Sequence, residues 1–422
     1  MIRFLLKGVL RDKIRSVFSL IVIFLGVMFT VMMVGLMAGV FSEFIRTNAM
    51  LETGHLKIMT RAYDQLSDMA PNDLSIIGTD SIIQDLNEKY PDMIWTPRIK
   101  LGGLVDIPDE NGETKNQAPA FGLGIDLLSE NSTQADLTGI SKSIVRGRML
   151  NSPDEALLSE DFSRKLGVNP GDKITLLGST MWGSMMTYNF IMSGTLHFGI
   201  PALDRSTLIV DIEGARRALD MEDGASELLG IFKDELYHAE RSAEIKKDFS
   251  RFQQDDEFAL LMKGLRDQND LGLIMDRADI YILFIIGIFV FLVVLVVWNF
   301  GLMNGLRRYG EIGIRLAMGE TKGHVYWTLL IESALIGIVG TFMGTLGGLS
   351  IVYYLQEVGI DYTDLMDGYN MLISGVMRAQ ITPGTYYLGI IPGFFASLLG
   401  TALAGRGIYK RELSQLFKEL ET

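Results

Sequence analysis

The side chains best suited to catalysis or metal binding are few in this 422-residue chain and lie far apart. The absence of cysteine excludes disulfides, thiolate zinc sites and thiol nucleophiles. The four histidines, His55, His197, His238 and His324, show no paired spacing, so no metal site is predicted. No Gly-x-x-x-x-Gly-Lys-Ser/Thr loop is present to cradle the phosphates of ATP. The sequence therefore predicts no catalytic residues, no bound cofactor and no enzyme activity in this chain.

Charge and hydrophobicity are distributed unevenly along the chain. Hydrophobic residues make up 48% of the sequence, yet 21% of residues are charged. Residues 43–279 carry 24 Lys and Arg against 40 Asp and Glu, a net charge of −16. Since the whole chain carries −13, the remainder sums to +3. So acidic a block would repel a polyanion such as nucleic acid. Nucleic-acid binding is therefore not expected.

Four apolar runs are long enough to cross a lipid bilayer. A helix rises about 1.5 Å per residue, so about 20 residues span the hydrocarbon core. The predicted transmembrane helices are residues 17–42, 280–306, 325–356 and 385–405, and Glu332 alone interrupts them. The first run is longer than the roughly 7–15 apolar residues of a signal peptide, so we favour a retained anchor.

Basic residues in the short flanking segments predict the orientation of these spans. Residues 1–16, 307–324 and 406–422 are rich in Lys and Arg and are assigned to the cytoplasm. Residues 43–279 and the loop 357–384 then face outward. Residues 1–16 also have an amphipathic pattern, which predicts either an interfacial helix on anionic lipid or a simple basic flank.

The outward block of residues 43–279 is predicted to fold as an α+β domain. Short strand-like runs alternate there with helical patterns and turn signals. The strand-like runs are His55–Met59, Gly102–Ile107, Lys173–Leu177, Asn189–Ser193 and Thr207–Val210. The helical patterns are Thr79–Lys89, Ser159–Leu166, Glu213–Leu219 and about Leu236–Phe252. The fold class is thus a membrane protein whose four transmembrane α-helices carry a large α+β extracytoplasmic domain between helices 1 and 2.

An uncharged segment of the outer domain, Gly178–Tyr188, is rich in Met and Trp and lies between two strand-like runs. As an exposed hairpin tip, Trp182, Met185 and Met186 would form an adaptable protein-binding surface. The alternative is that these side chains fold back into the domain core.

The segment between the second and third spans is short, basic and helical in pattern, with a turn signal at Gly319. Two interpretations are open: a rigid protrusion that docks into a partner, or a positively charged loop without one. The segment Glu311-Ile-Gly313, Arg315-Leu-Ala-Met-Gly319, Glu332 and a glycine series in the third span resemble the signature of the MacB/FtsX/LolC-type (type VII) ABC transporter permeases. The glycine series is Gly337, Gly340, Gly344, Gly347 and Gly348.

This resemblance implies a dimeric permease in the bacterial inner membrane, with both termini cytoplasmic and the large domain periplasmic. Its implied partners are a cytoplasmic ABC ATPase subunit dimer, which holds ATP and Mg, a second permease copy or paralogue, and the lipid bilayer. Residues implied at the ATPase contact are Arg307, Arg308, Glu311, Ile312, Arg315, Gly319 and Lys322. The glycines Gly337, Gly340, Gly344 and Gly348 would allow close helix packing.

Within this family, the chain most resembles the lipoprotein-releasing LolC/LolE-like permeases, because it has no fused ATPase and a large outer domain. That likeness implies ATP-driven mechanotransmission, extraction of lipoproteins and transfer to a periplasmic lipoprotein carrier. The carrier would bind the Trp182, Met185 and Met186 hairpin. Residues expected at the lipid-substrate cavity are Met37, Phe41, Phe44, Tyr281 and Phe284. Two other functions stay open: a non-transporting scaffold that activates an envelope hydrolase, and an efflux permease for peptides or small molecules.

Overall fold

A computed structural model provides the fold of the chain. It describes residues 13–108, 113–130, 132–199, 201–250, 256–268, 270–307, 309–361 and 376–410. Most of the predicted amphipathic segment, Arg308, part of the loop 357–384 and most of the tail therefore lie outside the described residues.

Thirteen α-helices are described in these residues. The long ones are α1 (Lys13–Asn48), α9 (Leu271–Arg307), α11 (Lys322–Glu357) and α13 (Ala396–Lys410). The shorter ones are α2 (Arg61–Gln65), α3 (Thr79–Lys89), α4 (Gln134–Leu137), α5 (Glu160–Leu166), α6 (Pro201–Asp204), α7 (Ile212–Leu219), α8 (Ala239–Ser250), α10 (Tyr309–Ala317) and α12 (Pro383–Tyr387). π-helical turns follow α1 at Ala49–Thr53 and precede α13 at Ile391–Phe395.

Four helical segments are long and apolar enough to cross a membrane: Val17–Thr53, Leu271–Val296, Lys322–Glu357 and Pro383–Leu403. A large mixed domain follows the first of these segments, and the other three segments come after it. The predicted fold class is therefore confirmed. The first helical segment continues 11 residues past Ser42, where the uncharged run ends. It continues because a helix satisfies its own backbone hydrogen bonds whether or not its surroundings are apolar.

Glycines on α11 allow close packing of the helical unit. A Cβ atom at Gly344 would lie 2.7 Å from Val27 Cβ, and one at Gly348 would lie 2.7 Å from Val31 Cβ. Non-bonded Cβ atoms in proteins essentially never approach other atoms this closely, so only glycine fits at these positions. Gly340 meets Ile23 of α1 in the same way, whereas Gly337 faces Ser397 of α13.

Polar side chains add a second seam between α11 and α13. Ser333 Oγ donates to the Ser397 carbonyl at 2.9 Å, and Thr401 Oγ1 donates to Ser333 Oγ at 2.8 Å. Near the cytoplasmic end predicted for these helices, the Tyr326 hydroxyl donates to the Ala402 carbonyl at 3.3 Å. Hydrogen bonds of this kind join helices where a bilayer offers no competing water.

The second unit, Glu43–Met275 with residues 361–376, contains the mixed domain. The strands of the chain are β1 (Leu56–Thr60), β2 (Ile76–Ile77), β3 (Met93–Pro108), β4 (Thr114–Ile125), β5 (Ile144–Gly147), β6 (Glu155–Ser159), β7 (Lys173–Ser179), β8 (Met185–Leu196), β9 (Thr207–Asp211), β10 (Gly224–Ala225), β11 (Glu227–Phe232), β12 (Leu260–Gly264), β13 (Ile360–Asp361) and β14 (Val376–Met377).

Six strands of the main sheet close into a ring. The main order is β12-β1-β11-β3-β4-β9-β6-β8-β5, and β7 pairs with both β3 and β8. The strands β3, β4, β9, β6, β8 and β7 therefore form a closed barrel, which leaves no free edge within the ring. The strands β11, β1 and β12 extend the sheet from β3.

Two layers of apolar side chains stabilise this domain. Val105, Leu176 and Phe190 belong to the larger core, which α7 joins through Ala215 and Leu219. A smaller core includes Leu123, Leu157 and Ile209, so residues 123, 157 and 209 pack on the opposite face of their strands from the larger core. Alternation along each strand assigns side chains to these two cores.

The periodicity of the sequence located most of these elements but shortened the strands. Helix α3 spans the predicted Thr79–Lys89, and α5 and α7 differ from their predictions by one residue at the start. Strands β3 and β8 are much longer than the predicted runs. Pro97 and Arg98 interrupt the apolar alternation of β3, and Gly122 and Asn116 interrupt that of β4, for which no strand was predicted. They are accommodated because pairing in the barrel supplies the missing stabilisation.

Candidate functional site

The segment between α9 and α11 forms a short helix with a defined stop and restart. Helix α10 ends in a Schellman turn: Gly319 N donates to the Leu316 carbonyl and Glu320 N to the Arg315 carbonyl, both at 3.1 Å. Gly319 has φ +94°, a conformation that favours glycine. Thr321 then caps α11 by accepting from His324 N. The turn between α10 and α11 is therefore defined on both sides, by the Schellman turn that ends α10 and by the Thr321 cap that begins α11. We call α10 and this turn the protrusion.

The predicted ATPase-contact residues fall on this protrusion. Arg307 ends α9, Glu311 and Ile312 lie within α10, and Lys322 begins α11. Arg315 is half-buried, and its Nε atom pairs with Glu320 Oε2 at 3.0 Å. That ion pair bridges the Schellman turn, so Arg315 also stabilises the protrusion.

Two further residues of the protrusion are exposed and apolar, and the sequence analysis missed them. Ile314 is 52% exposed and Met318 is 73% exposed. Met318 follows α10 directly, and its N–H donates to the Ile314 carbonyl at 3.0 Å, so the two residues lie on one side of the last helical turn. The sequence signal for them was the spacing of two apolar residues, four apart, within a basic segment. The family pattern does not include these two positions.

The predicted Met and Trp segment is a hairpin tip between β7 and β8. Ser179 pairs with Met185, and Thr180 N donates to the Ser184 carbonyl at 2.8 Å. Trp182 is 68% exposed and Met185 is 86% exposed. Trp182 Nε1 donates to the Asp220 carbonyl at 3.0 Å, which ties the indole to the end of α7. We call Trp182 and Met185 the tip pair.

The placement of Met186 on the exposed tip is wrong. Met186 is only 2% exposed and belongs to the larger core. Adjacent strand residues point to opposite faces, so Met185 and Met186 cannot both face solvent. Met181 is also buried, and its N–H donates to the Leu219 carbonyl at 2.8 Å.

The residues predicted for the substrate cavity have mixed exposure. Met37 and Phe41 on α1 are half-buried, whereas Phe44 is 41% exposed. Tyr281 and Phe284 on α9 are both exposed. Their role in a cavity stays a prediction.

A buried group of charged residues in the outer domain has no counterpart in the sequence analysis. Glu227 of β11 accepts from Lys57 Nζ and Lys100 Nζ, both at 3.0 Å. All three side chains are buried, as is Arg98, which lies opposite Glu227 in the strand register. Burial alone would raise the pKa of Glu227, but Lys57 and Lys100 outweigh it and lower that pKa. Because strand alternation usually assigns buried positions to apolar residues, pattern analysis could not find this group.

His55 is a second buried polar residue of the outer domain. Its Nδ1 atom accepts from Phe232 N at 3.1 Å, and its ring stacks on the Phe232 ring. An Nδ1 atom that accepts a hydrogen bond cannot carry a proton, so the ring is neutral. Burial lowers the pKa of His55 to about 4.

We expect His55 to make the outer domain less stable in mild acid. The pKa of His55 in the folded protein lies below the ordinary histidine pKa of 6.5, so the unfolded state binds more protons between pH 6.5 and 4. The free energy of unfolding should therefore fall across that window, by at most about 3 kcal/mol. His55→Gln, which cannot titrate, should show a shallower fall in Tm from pH 7 to pH 4.5. An equal fall in both proteins would contradict this assignment.

Comparisons with known proteins find a family similarity for the part of the helical unit that follows the mixed domain. Residues 283–413, which include α10 with its Schellman turn, match the family described as FtsX-like permease C-terminal. These residues form an FtsX-like permease domain. The predicted resemblance to MacB/FtsX/LolC-type permeases is thereby confirmed. The protrusion lies within the matched residues, between α9 and α11.

Related proteins carry names from several branches of this family. An ABC transporter permease protein of Mycobacterium tuberculosis is 25% identical over 68% of this chain and 32% of its own length. The lipoprotein-releasing system transmembrane protein LolC of Xylella fastidiosa is 24% identical over 48% of each chain. The macrolide export ATP-binding/permease protein MacB of Campylobacter jejuni is 25% identical over 24% of this chain and 16% of its own. The matched regions thus cover at most about half of each relative.

A solved structure also matches about half of the chain. The periplasmic region of MacB from Actinobacillus actinomycetemcomitans has a TM-score of 0.36 at 11% sequence identity. The match covers 53% of this chain and 96% of that one.

Proposed function

We propose that this chain is the permease subunit of an ABC complex in the bacterial inner membrane, and that a separate cytoplasmic ATPase dimer drives it. The observation that carries this proposal is the protrusion, whose junction with α11 is fixed by a Schellman turn and a helix cap, within the residues that match the FtsX-like family. A rigid helix with an apolar contact pair, Ile314 and Met318, suits docking into a groove of a partner. Arg315 and Lys322 would place charge beside that contact, and Arg307, Arg308 and Glu311 stay predicted contact residues.

Motion of the docked partner would reach the spans through rigid contacts. Helix α11 follows the protrusion directly after the Thr321 cap. It packs on α1 through Gly344 and Gly348, and on α13 through Ser333. At the glycines, α11 packs closely against its neighbours with no side chain between them. Such interfaces deform little, so a movement of α11 would also move the helices packed on it. This is the mechanotransmission that we propose for the complex, with a second permease copy or paralogue completing the dimer.

The proposed cargo is lipoprotein, which the complex would extract from the membrane and pass to a periplasmic carrier. Support comes from the hairpin, whose tip pair exposes an indole and a thioether on a tethered turn. Aromatic and Met side chains of this kind are enriched at protein contacts. The LolC relative carries the name of a lipoprotein-releasing system.

Efflux of small molecules or peptides is the second candidate function. The observation that favours it is the similarity to MacB, whose name refers to macrolide export. On this alternative the tip pair would contact an adaptor rather than a lipoprotein carrier, and no acylated protein would accompany the complex.

The tip pair provides a direct test of carrier transfer. We expect Trp182→Ser with Met185→Ser to abolish capture of the periplasmic carrier, because the pair supplies the exposed apolar surface of the tip. Binding of the ATPase should be unchanged. The measurement is photo-cross-linking of the carrier in membranes, and Ile191→Ser is the matched control, since Ile191 is an exposed apolar residue elsewhere on β8. Undiminished carrier cross-linking in the double variant would remove the hairpin from the proposal.

A further inference from the structure

Helices α1 and α9 both extend from the helical unit into the second unit. The end of α1 from Glu43 onward and the start of α9 as far as Met275 belong to the second unit. Helix α1 passes directly into the π-helical turn Ala49–Thr53, which ends at Gly54 with φ +61°. Helices are rigid elements, so the contacts of these two helix ends decide whether movement of the spans would reach the sheet.

Arg98 of β3 binds the end of α1 from inside the outer domain. Its side chain is 1% exposed, and Nη2 donates to the Met50 carbonyl at 3.2 Å. The carbonyl groups at the C-terminal end of a helix carry partial negative charge, which favours a cation there. Lys100, which follows on the same face of β3, has its Nζ atom 3.9 Å from Glu52 Oε1 in the same turn. Two cations of one strand therefore hold the last turn of this helix.

Gln268 joins the same helix end to the start of α9. The residue is 6% exposed, and its Nε2 atom donates to the Thr53 carbonyl at 3.1 Å and to the Gly264 carbonyl at 3.2 Å. Its backbone carbonyl accepts from the N–H of Leu271, the first residue of α9, at 2.8 Å. Ala49 and Leu271 also share one buried apolar cluster. The ends of α1 and α9 are thus tied to each other and, through Gly264, to β12.

Stability alone does not account for a buried arginine at position 98. Among the described residues, its Nε and Nη1 atoms have no hydrogen-bond partner, although both are buried. It lies near Lys57 and Lys100, and Glu227 is the carboxylate buried with them. Unpaired buried donors and an excess of buried positive charge both lower stability, so an apolar side chain of similar length would suit the fold at least as well. A fixed contact with the end of α1 gives the guanidinium a role.

We propose that Arg98 and Gln268 form a rigid joint that fixes the ends of α1 and α9 to the sheet of the outer domain. The inference rests on the proposed function, since the joint would pass the movement of the spans on to that domain. Both are positioning residues, because they bind helix ends rather than a ligand. An ion pair at the surface supports the joint: Arg46 Nη2 of α1 lies 2.7 Å from Glu235 Oε2 in the loop after β11.

The double variant Arg98→Met with Gln268→Leu separates transmission from stability. Gln268 Oε1 also has no hydrogen-bond partner among the described residues, so both changes replace partly unpaired polar groups with apolar ones. Tm should therefore not fall. Arg216→Met is the matched control, because Arg216 of α7 donates to Thr79, Glu213 and Gly224, none of which belongs to α1 or α9. A Tm below that of the control would show that the pair stabilises the fold instead and would overturn the proposal.

The rigidity of the joint can be measured by pulsed EPR on the full chain in lipid nanodiscs. Spin labels are placed at Val40→Cys on α1 and Thr187→Cys on β8, both exposed positions in a chain without natural cysteine. Labelled chain is diluted into unlabelled chain so that only the distance within one chain is read. We expect a narrow distance distribution for the otherwise unchanged chain and for Arg216→Met, and one about twice as broad for the double variant. Equal widths in all three proteins would overturn the joint.

Transmission is measured in the complex with the ATPase in the same nanodiscs. The double variant should hydrolyse ATP at the normal rate but lose release of lipoprotein, whereas Arg216→Met should retain both. Release at the normal rate by a double variant with a broadened distance distribution would overturn the role in transmission. A wild-type complex that hydrolyses ATP without releasing lipoprotein would contradict the proposed function, and the width of the distance distribution would still decide whether the joint exists.

Discussion

Replacing Glu227 with Leu should destabilise the outer domain more than any other single acidic substitution in it. The change leaves Lys57 buried without its ion-pair partner and leaves Lys100 with only the exposed Glu52 at 3.9 Å, next to the buried Arg98. Removing one partner of a buried ion pair costs about 3–5 kcal/mol, because the remaining charge loses its compensation. For a domain of this size, that corresponds to a fall in Tm of roughly 10 °C.

Calorimetry or circular dichroism of the full chain measures this shift. Glu240→Leu is the matched control, since Glu240 is exposed on α8. Adding Lys57→Met and Lys100→Met to Glu227→Leu should recover most of the loss, because an apolar group of similar volume replaces the ions. A Tm for Glu227→Leu that equals the control, or a triple variant no more stable than the single one, would contradict the buried-charge account.

Replacing Gly344 with Val should separate α11 from α1. The new Cβ would meet Val27 Cβ at 2.7 Å and the Phe24 carbonyl oxygen at 2.8 Å, so the helices must move apart. Gly287→Val is the matched control, because no heavy atom of the described chain lies within 4 Å of that site on α9. We expect Gly344→Val to lose most ATP-driven activity while the control retains it.

A disulfide cross-link can measure the separation directly, because the natural chain has no cysteine. A Cβ at Gly35 would lie 3.3 Å from Val352 Cβ, close to the spacing that a disulfide requires. The pair Gly35→Cys and Val352→Cys should therefore oxidise readily in the Gly287→Val background and poorly with Gly344→Val. Equal oxidation in both backgrounds would show that the glycine series does not set the helix spacing.

The sequence predicted the spans because the bilayer requires long uncharged runs, and these are visible without an alignment. It predicted the α+β domain from local patterns such as Thr79–Lys89. It did not predict the barrel, since the pairing of β7 with both β3 and β8 is a contact between distant segments. Periodicity within one segment carries no information on such pairs.

For the candidate site too, some features could be predicted from local sequence and others could not. The turn at Gly319 was predictable, because its backbone conformation favours glycine. The exposure of Met185 and the burial of Met186 depend on the register of β8, which the sequence of the hairpin alone does not fix. The Glu227 group arises only when β1, β3 and β11 meet, so no local motif predicts it.

The measurement that tests the central claim most directly is affinity purification of the tagged chain in a mild detergent, followed by mass spectrometry of the eluate. The wild type should elute with an ABC ATPase subunit and acylated lipoproteins, whereas Ile314→Ser with Met318→Ser should lose the ATPase. Leu66→Ser, an exposed apolar change in the outer domain, should retain it. An ATPase that is absent from the wild type, or that is retained by the double variant, would contradict coupling through the protrusion, and a cell-wall hydrolase in place of lipidated cargo would contradict lipoprotein release.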